Sequence, residues 1–261
     1  MSRVSFGFTA LTVIASLASP AHAEETTGIT VDWKVDGTVT GAALTLWIGS
    51  ELAKEQSTPV TCRWCTPPQV DAWARNQLLW SNPKAAQTAT DVLVVGVPLG
   101  LAVYDVVEVG GARKAAPDLL VMTESIAIAG LLCQATKFIA VRERPYALHV
   151  TLPSEGADDR LSFYSGHTTI AFAAAASAGM LAQLRDDEHW PWVYGVGFTA
   201  AAATGWLRVA GDKHWLTDVV VGAATGTAVG LAVPWLHRNR SAPPAVSLSV
   251  APRLLTFSGA F

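Results

Sequence analysis

Two long stretches of this chain contain no charged residue, and they restrict the folds that the chain can adopt. Thr168 to Leu184 is free of charge over 17 residues, and Val219 to Leu236 over 18. Both stretches are rich in Ala, which favours helix and permits close helix–helix packing. Further helical patterns surround them, so we predict a single all-α domain, a helical bundle. The predicted helices lie near 41–55, 69–81, 84–110, 116–141, 166–186, 190–206 and 213–237.

Both ends of the chain depart from this helical pattern. We expect residues 24–40 to form an irregular or weakly β-like arm, because Ile29 to Trp33 alternates in polarity and Asp36-Gly37 is typical of a turn. In the tail over 241–261, two prolines end the last helix and apolar residues alternate with small ones from Val246 to Val250. The tail therefore favours a short hairpin.

The first 23 residues have the pattern of an export signal. Arg3 supplies a positive charge, Phe6 to Leu17 form an apolar segment, and Ala21-His22-Ala23 has the small-x-small form of a cleavage site. We expect cleavage after Ala23, which would leave a helical domain over 24–240 and a C-terminal extension over 241–261. A retained membrane anchor is the alternative, although the apolar segment is short for a membrane span.

The low charge content raises the question of whether the chain lies in water or in lipid. Charged residues make up 15% of the chain, against about 25% in an average globular protein. The long predicted helices near 84–110 and 116–141 contain charges that would be costly in lipid, among them Asp91, Glu124 and Lys137. We therefore expect a periplasmic protein, soluble or peripheral, with an integral inner-membrane protein whose active site faces the periplasm as the alternative. The net charge of −3 gives no basic field, so nucleic acid is not an expected partner.

Export would place the cysteines in an oxidising compartment. Cys62 and Cys65 form a CxxC pair, for which a local disulfide is the favoured interpretation. A zinc site would need a second Cys or His pair, and none stands nearby in the sequence. Cys133 lies in an apolar run and is expected to be a buried free thiol.

Three cations are candidate ligands of a phosphate group. Lys137 and Arg144 are seven residues apart, about two helical turns, so they share a face if the helix continues. Pro145 is expected to end that helix at about Arg144. The third cation is Arg208, and the planar fork of arginine bonds two phosphate oxygens at once. Arg142 is two residues from Arg144 and would point elsewhere on a helix, so the predicted site leaves it out.

The triplet Ser165-Gly166-His167 precedes the first uncharged stretch. Serine is a favoured N-cap, glycine lets a ligand approach the backbone, and the N–H groups at a helix start attract anions. This segment can therefore bind phosphate oxygens while presenting His167. A buried or capping histidine is the alternative.

His214 and Asp218 are spaced i, i+4 and would lie on one face of a helix. A carboxylate bonded to one ring nitrogen fixes the tautomer of histidine and makes the other nitrogen a better nucleophile. The alternative is an ordinary surface pair on a helix.

Together these residues resemble the type 2 phosphatidic acid phosphatase and vanadium haloperoxidase superfamily. Its signature runs Lys-x6-Arg-Pro, then Pro-Ser-Gly-His, then Ser-Arg-x5-His-x3-Asp. All three spacings and their order match here over 137–218, with Tyr164 in place of the usual proline and Leu207 in place of the usual serine. The resemblance implies the helical bundle of that family and an activity without cofactor or metal.

The resemblance also implies a role for each residue. His214 would be the nucleophile and form a phosphohistidine, Asp218 would orient it, and His167 would protonate the leaving alcohol and then activate water. The residues that would bind the phosphoryl oxygens are Lys137, Arg144, Ser165, Gly166 and Arg208.

The function expected on these grounds is hydrolysis of phosphate esters, either lipid phosphates or soluble monoesters. The expected partners are such a substrate and the membrane surface. A vanadium-dependent haloperoxidase is one alternative, because the same pocket can hold vanadate. A non-catalytic phosphate- or lipid-binding protein is another, because of the departures at Tyr164 and Leu207.

Overall fold

The protein is a bundle of α-helices, seen here in a computed structural model that describes residues 28–239 and the backbone of two further strands. The predicted signal segment over 1–23 lies outside the described residues. The helices are α1 (Trp33–Leu52), α2 (Lys54–Ser57), α3 (Gln69–Leu78), α4 (Pro83–Glu108), α5 (Ala112–Ala140), α6 (Pro145–His149), α7 (Gly166–Leu184), α8 (Trp190–Ala210) and α9 (Leu216–His237), with a 3-10 turn over Gly156–Arg160. The all-α prediction is confirmed.

The tail forms a hairpin of two strands, β1 (Val246–Ala251) and β2 (Leu254–Gly259). They pair antiparallel, with Val246 opposite Gly259 and Ala251 opposite Leu254. This is the element that the alternating tail sequence predicts.

The β-like arm predicted over 24–40 is wrong from Trp33 onward, where α1 begins. The side chain of Asp32 accepts hydrogen bonds from the backbone N–H groups of Lys34 and Val35 at 3.0 and 3.2 Å, which is the N-cap of a helix. α1 then packs on α5, where a side chain at Gly130 would collide with the indole of Trp47. Capping and packing therefore outweigh the turn tendency of the Asp36-Gly37 pair.

α7 lies at the centre of the bundle and contacts α4, α5, α8 and α9. Its alanines are buried around the whole circumference, among them Ala171, Ala173, Ala174, Ala175 and Ala176. A helix that is apolar all round lies in a protein core or in a membrane, and here the neighbouring helices bury it. The uncharged stretch from Thr168 to Leu184 is therefore the core helix of the fold.

α9 packs on α7 through three glycines spaced four residues apart. A Cβ at Gly222 would come within 2.8 Å of the carbonyl oxygen of Ser165, and one at Gly226 would overlap the carbonyl oxygen of Thr169. Gly230 meets the next turn of α7 in the same way. Small residues at this spacing let two helix backbones approach closely, as in membrane helix pairs.

Three helices are long and apolar enough to cross a membrane: α4, α5 and α9. On α4, one broad face exposes large apolar side chains along its length, namely Val92, Val95, Leu99, Val103 and Val107. Water would oppose such an exposed apolar surface, whereas lipid would accommodate it. These features favour a membrane protein, the alternative that the sequence left open.

We expect Gly226→Ala to destabilise the protein, because the added methyl group must push α9 away from α7. Overpacking of this kind costs about 1–3 kcal/mol. The matched control is Gly100→Ala on α4, where an added Cβ meets nothing within 4 Å. This change should leave stability unchanged or raise it by up to about 1 kcal/mol. Unfolding of both variants in detergent checks the expectation, and equal effects would contradict the close contact of α9 with α7.

Candidate functional site

A polar cavity of about 340 Å³ lies where α5 and α8 end and α7 and α9 begin. Five of the residues predicted from the sequence line it, and they come from separate segments of the chain: Lys137, Arg144, His167, Arg208 and His214. The cavity therefore brings together the three cations and both histidines.

His214 is fully enclosed at the back of this cavity, and each of its ring nitrogens has a partner. Nδ1 lies 3.4 Å from Oδ2 of Asp218, and Nε2 lies 3.1 Å from Nη1 of Arg144. Arginine can only donate, so Nε2 faces it with a lone pair and Nδ1 carries the proton directed at the carboxylate. This is the tautomer that leaves Nε2 free to act as a nucleophile.

The pairing of His214 with Asp218 does not arise as the sequence suggested. His214 lies before α9 rather than on it, and Trp215 is the N-cap. Asp218, in the first turn, accepts a hydrogen bond from the backbone N–H of Trp215 at 3.0 Å. The contact is thus made across a helix start, where the carboxylate also caps the helix.

The carboxylate of Asp218 is completely buried and held by two further donors. Ser162 donates its hydroxyl to Oδ2 at 2.5 Å, and Arg142 pairs with Oδ1. A buried carboxylate needs such partners to remain charged. Asp218 is therefore fixed in one orientation behind His214.

The sequence prediction left Arg142 out of the phosphate site, and Arg142 does not line the cavity, although it contacts Asp218 behind His214. α5 ends at Ala140, and Val141 adopts a left-handed conformation with φ of 43°. Arg142 consequently turns inward instead of following a helical face. Its guanidinium bridges Asp218 and Asp71, the latter at 2.5 Å, and is itself buried.

A loop closed by a disulfide covers Arg142 from outside. Cys62 and Cys65 are joined, and Trp64 between them places its ring 3.8 Å from the guanidinium carbon of Arg142. The contact with Asp71 spans 71 residues of sequence. Arg142 is held in place by such long-range contacts, and no local pattern in the sequence indicates them.

The three predicted cations differ in how far their charge is compensated. Among the described residues, the ammonium of Lys137 has no hydrogen-bond or ion-pair partner, and it lies close to Gly166. Arg208 is buried, donates to the hydroxyl of Thr90 at 3.1 Å, and keeps an unpartnered Nε. Both side chains therefore offer N–H groups to an anion in the cavity.

Arg144 is held by the 3-10 turn beside the cavity. Its Nε donates to the carbonyl oxygen of Asp158 at 2.7 Å, and its Nη1 donates to that of Lys213 at 2.9 Å. Burial by itself would raise the pKa of Asp158, but Arg144 and Lys54 outweigh it and hold the pKa at about 2. The Asp158 carboxylate is therefore ionised and balances part of the positive charge.

His167 faces the cavity from the first turn of α7. Its Nε2 lies 3.0 Å from Oδ1 of Asp91 on α4. Burial and then the charge of Arg208 lower the pKa of His167 to about 4, although Asp91 opposes them. No local pattern in the sequence indicates Asp91 as a partner of this histidine, because the two are 76 residues apart.

The main influences on the pKa of His214 all lower it. Burial and then the surrounding cations, Arg144 foremost, hold its pKa well below the ordinary value of 6.5. His214 is therefore neutral at physiological pH.

Ser165 is the N-cap of α7, but it does not line the cavity. It is fully buried, and its hydroxyl accepts a hydrogen bond from Thr168 at 2.9 Å. Its backbone N–H donates to the carbonyl oxygen of Asp218 at 3.1 Å. Ser165 thereby joins the starts of α7 and α9.

The two departures from the family signature lie in apolar packing. Leu207 is buried with Ala86 and Ala210, and Tyr164 is buried with its carbonyl oxygen 3.2 Å from the thiol of Cys133. Neither side chain replaces a residue that lines the cavity.

In the described part of the chain, the two groups of histidine and carboxylates close enough to share a metal ion both lie away from this cavity. They are Asp36 with Glu124 and His237, and Glu108 with Asp187 and His189.

We expect Arg142→Gln to destabilise the protein strongly, because it leaves Asp71 and Asp218 buried without their cation. Removing one partner of a buried ion pair costs about 3–5 kcal/mol. The control is Arg63→Gln in the same disulfide loop, where an exposed arginine donates to a single carbonyl oxygen. That change should cost no more than about 1 kcal/mol. Denaturant unfolding measures both, and a small loss for Arg142→Gln would contradict its role.

Comparison with known proteins agrees with this geometry. The family model described as the PAP2 superfamily matches residues 118–242, a segment that contains Lys137, His167 and His214. A relative described as "Lipid A 1-phosphatase", from Porphyromonas gingivalis, is 40% identical over 75 residues, which are 29% of this chain. The match spans only 16% of that relative's length.

Among solved structures, the chain is similar to one described as the first transmembrane PAP2 type phosphatidylglycerolphosphate phosphatase from Bacillus subtilis. The TM-score is 0.49 at 20% identity, and the match covers 78% of this chain and 96% of the other. Five residues of the signature converge on one cavity. Over residues 118–242, which contain them, the chain is similar to the PAP2 superfamily.

Proposed function

We propose that this protein is a membrane phosphatase that hydrolyses phosphate monoesters of lipids through a phosphohistidine at His214. The observation that carries the proposal is the unpartnered ammonium of Lys137, among the described residues, beside a neutral histidine in a cavity lined by further cations. The match to the PAP2 superfamily over residues 118–242 supports the reaction type. The relative named for lipid A supports a lipid phosphate as substrate.

The first chemical step would use the lone pair on Nε2 of His214. A phosphoryl oxygen takes over the N–H group of Arg144 that now faces Nε2, which frees the lone pair. Nε2 then forms a bond to phosphorus as the bond from phosphorus to the alcohol oxygen breaks. Protonated His167 gives its proton to the departing oxygen, so the lipid leaves as a neutral alcohol.

The second step would return the enzyme to its starting state. Neutral His167 takes a proton from water, whose oxygen bonds to phosphorus as the bond to Nε2 breaks, and inorganic phosphate leaves. Throughout, Lys137, Arg144 and Arg208 stabilise the charge on the equatorial oxygens. Asp218 stabilises the proton on Nδ1 and keeps the ring in place.

The position of α4 supports a lipid substrate. Asp91 lines the cavity, and Val95 and Leu99 follow it at i+4 and i+8 on the same side of the helix. Both are largely exposed. A phosphate group in the cavity could therefore have its apolar chain lying along α4.

We expect His214→Ala to lower kcat by about a thousandfold or more, because the nucleophile is lost. Hydrolysis is measured with a long-chain lipid phosphate in mixed micelles and with a soluble monoester. The matched control is His189→Ala, which changes an exposed histidine outside the cavity and should retain full activity. Rapid acid-free quenching of the wild-type enzyme should trap phosphate on His214 in a base-stable, acid-labile linkage.

Turnover by His214→Ala at the wild-type rate, on both substrates, would refute the proposed mechanism. Binding of phosphate without turnover by the wild-type protein would support a binding protein instead. Equal kcat/KM for the two substrates would remove the preference for lipid.

We expect the pH profile of kcat/KM to be bell-shaped with its maximum below pH 6.5. The acid limb arises because His214 must be neutral, and its pKa is lowered. The alkaline limb arises because His167 must be protonated, and its pKa of about 4 means that the protonated fraction falls as pH rises. His167→Gln should remove the alkaline limb and lower the rate by about 10²–10⁴. A maximum above neutral pH, unchanged in this variant, would contradict the roles assigned.

A further inference from the structure

Three side chains from distant parts of the chain meet near the end of the bundle opposite the phosphate cavity. They are Asp36 of α1, Glu124 of α5 and His237 of α9. Nε2 of His237 lies 3.4 Å from Oδ1 of Asp36 and 3.6 Å from Oε2 of Glu124. Along α9, Asp218 and His237 are 19 residues apart, about 29 Å. This group is therefore separate from the site proposed for phosphate.

The ring of His237 is oriented as metal-binding histidines are. Nδ1 lies 2.8 Å from the carbonyl oxygen of Val233, which can only accept, so Nδ1 carries a proton. Such a bond fixes the tautomer of a metal ligand and directs the other nitrogen at the ion. In the neutral ring, the lone pair of Nε2 points between the two carboxylates.

The carboxylate of Glu124 is an independent indication that this group binds a ligand. The residue is only 6% exposed, and its buried Oε2 has no hydrogen-bond partner. Among the described residues, no lysine or arginine forms an ion pair with Asp36 or Glu124. Two buried carboxylates facing one histidine leave a net negative charge, which is costly in an apolar surrounding.

The distances fit ligands around a cation better than they fit hydrogen bonds. At 3.4 and 3.6 Å, the pairs are longer than the usual hydrogen bond of about 2.7–3.2 Å. Zinc bound at about 2.0–2.1 Å to tetrahedral N and O ligands separates neighbouring ligands by about 3.3 Å. A divalent ion would also neutralise the two carboxylates.

We propose that Asp36, Glu124 and His237 bind one divalent cation of the zinc type, with water as the fourth ligand. The other oxygen of Asp36 accepts a hydrogen bond from the backbone N–H of Asp32 at 2.7 Å, which holds the carboxylate in place. The ion would fasten α1 to α5 and α9. It would also secure the segment before α1, where the N–H of Thr30 donates to the carbonyl oxygen of His237 at 2.7 Å.

The group of Glu108, Asp187 and His189 is a useful contrast. Glu108 and His189 are exposed, and Asp187 already accepts hydrogen bonds from Tyr104 at 2.7 Å and from the backbone N–H of His189 at 2.8 Å. Its carboxylate is satisfied without a cation. The two groups thus contain the same residue types, but the carboxylates of the proposed site need a cation and the carboxylate of Asp187 does not.

The test uses the full chain in detergent, prepared without a polyhistidine tag and stripped with a chelator. Titration with ZnCl₂ is followed by calorimetry, by metal analysis after dialysis and by thermal unfolding. We expect one zinc per chain and a rise in Tm of several degrees, because a ligand that binds only the folded state stabilises it. Glu124→Gln should lose both the bound zinc and the rise in Tm.

Glu124→Gln is nearly isosteric and removes an unpaired buried charge, so it should be at least as stable as the stripped wild-type protein. Asp36→Asn serves as a second variant, because its amide oxygen can still accept from Asp32. His189→Ala should bind zinc as the wild type does. Failure of the wild-type chain to retain stoichiometric zinc would overturn the proposal. So would wild-type binding by Glu124→Gln and Asp36→Asn, or loss of binding in His189→Ala. None of these outcomes depends on the proposed phosphatase activity.

Discussion

The close contact between α7 and α9 determines how the rest of the site is arranged. Gly222, Gly226 and Gly230 let α9 lie directly on the backbone of α7, and a hydrogen bond from the N–H of Ser165 to the carbonyl oxygen of Asp218 joins the two helix starts. His167 and His214 each lie within two residues of these starts. Two motifs that are far apart in the sequence therefore reach the same cavity without any large loop to position them.

Charge is scarce in this chain, and much of it is used at one end of the bundle. Lys137, Arg144 and Arg208 face the cavity, while Arg142 faces away from it towards Asp71 and Asp218. The first three can compensate an incoming anion, and the fourth holds the carboxylate behind His214. Burial makes each of these interactions stronger than it would be in water. The exposed apolar face of α4 begins at the same cavity, which links the proposed chemistry to a lipid substrate.

Local patterns in the sequence predicted the long helices and five of the eleven residues that line the cavity. The spacings of Lys137 to Arg144 and of His214 to Asp218 gave correct groupings, although neither pair lies on one continuous helix. α5 ends at Ala140 and α9 begins at Leu216, so contacts between segments replace the helical face that the spacing suggested. The roles of Arg142 and Asp91 depend on partners far away in the sequence, and local reasoning cannot reach them. The start of α1 was missed because Asp32 caps a helix that packing on α5 then stabilises.

The most direct test of the proposed site is an experimental structure with orthovanadate, whose trigonal form resembles a phosphoryl group in transfer. We predict vanadium within bonding distance of Nε2 of His214, with its equatorial oxygens contacting Lys137, Arg144 and Arg208 and with His167 on the opposite side. Vanadate bound elsewhere, or bound in this cavity without a bond to His214, would contradict the central claim.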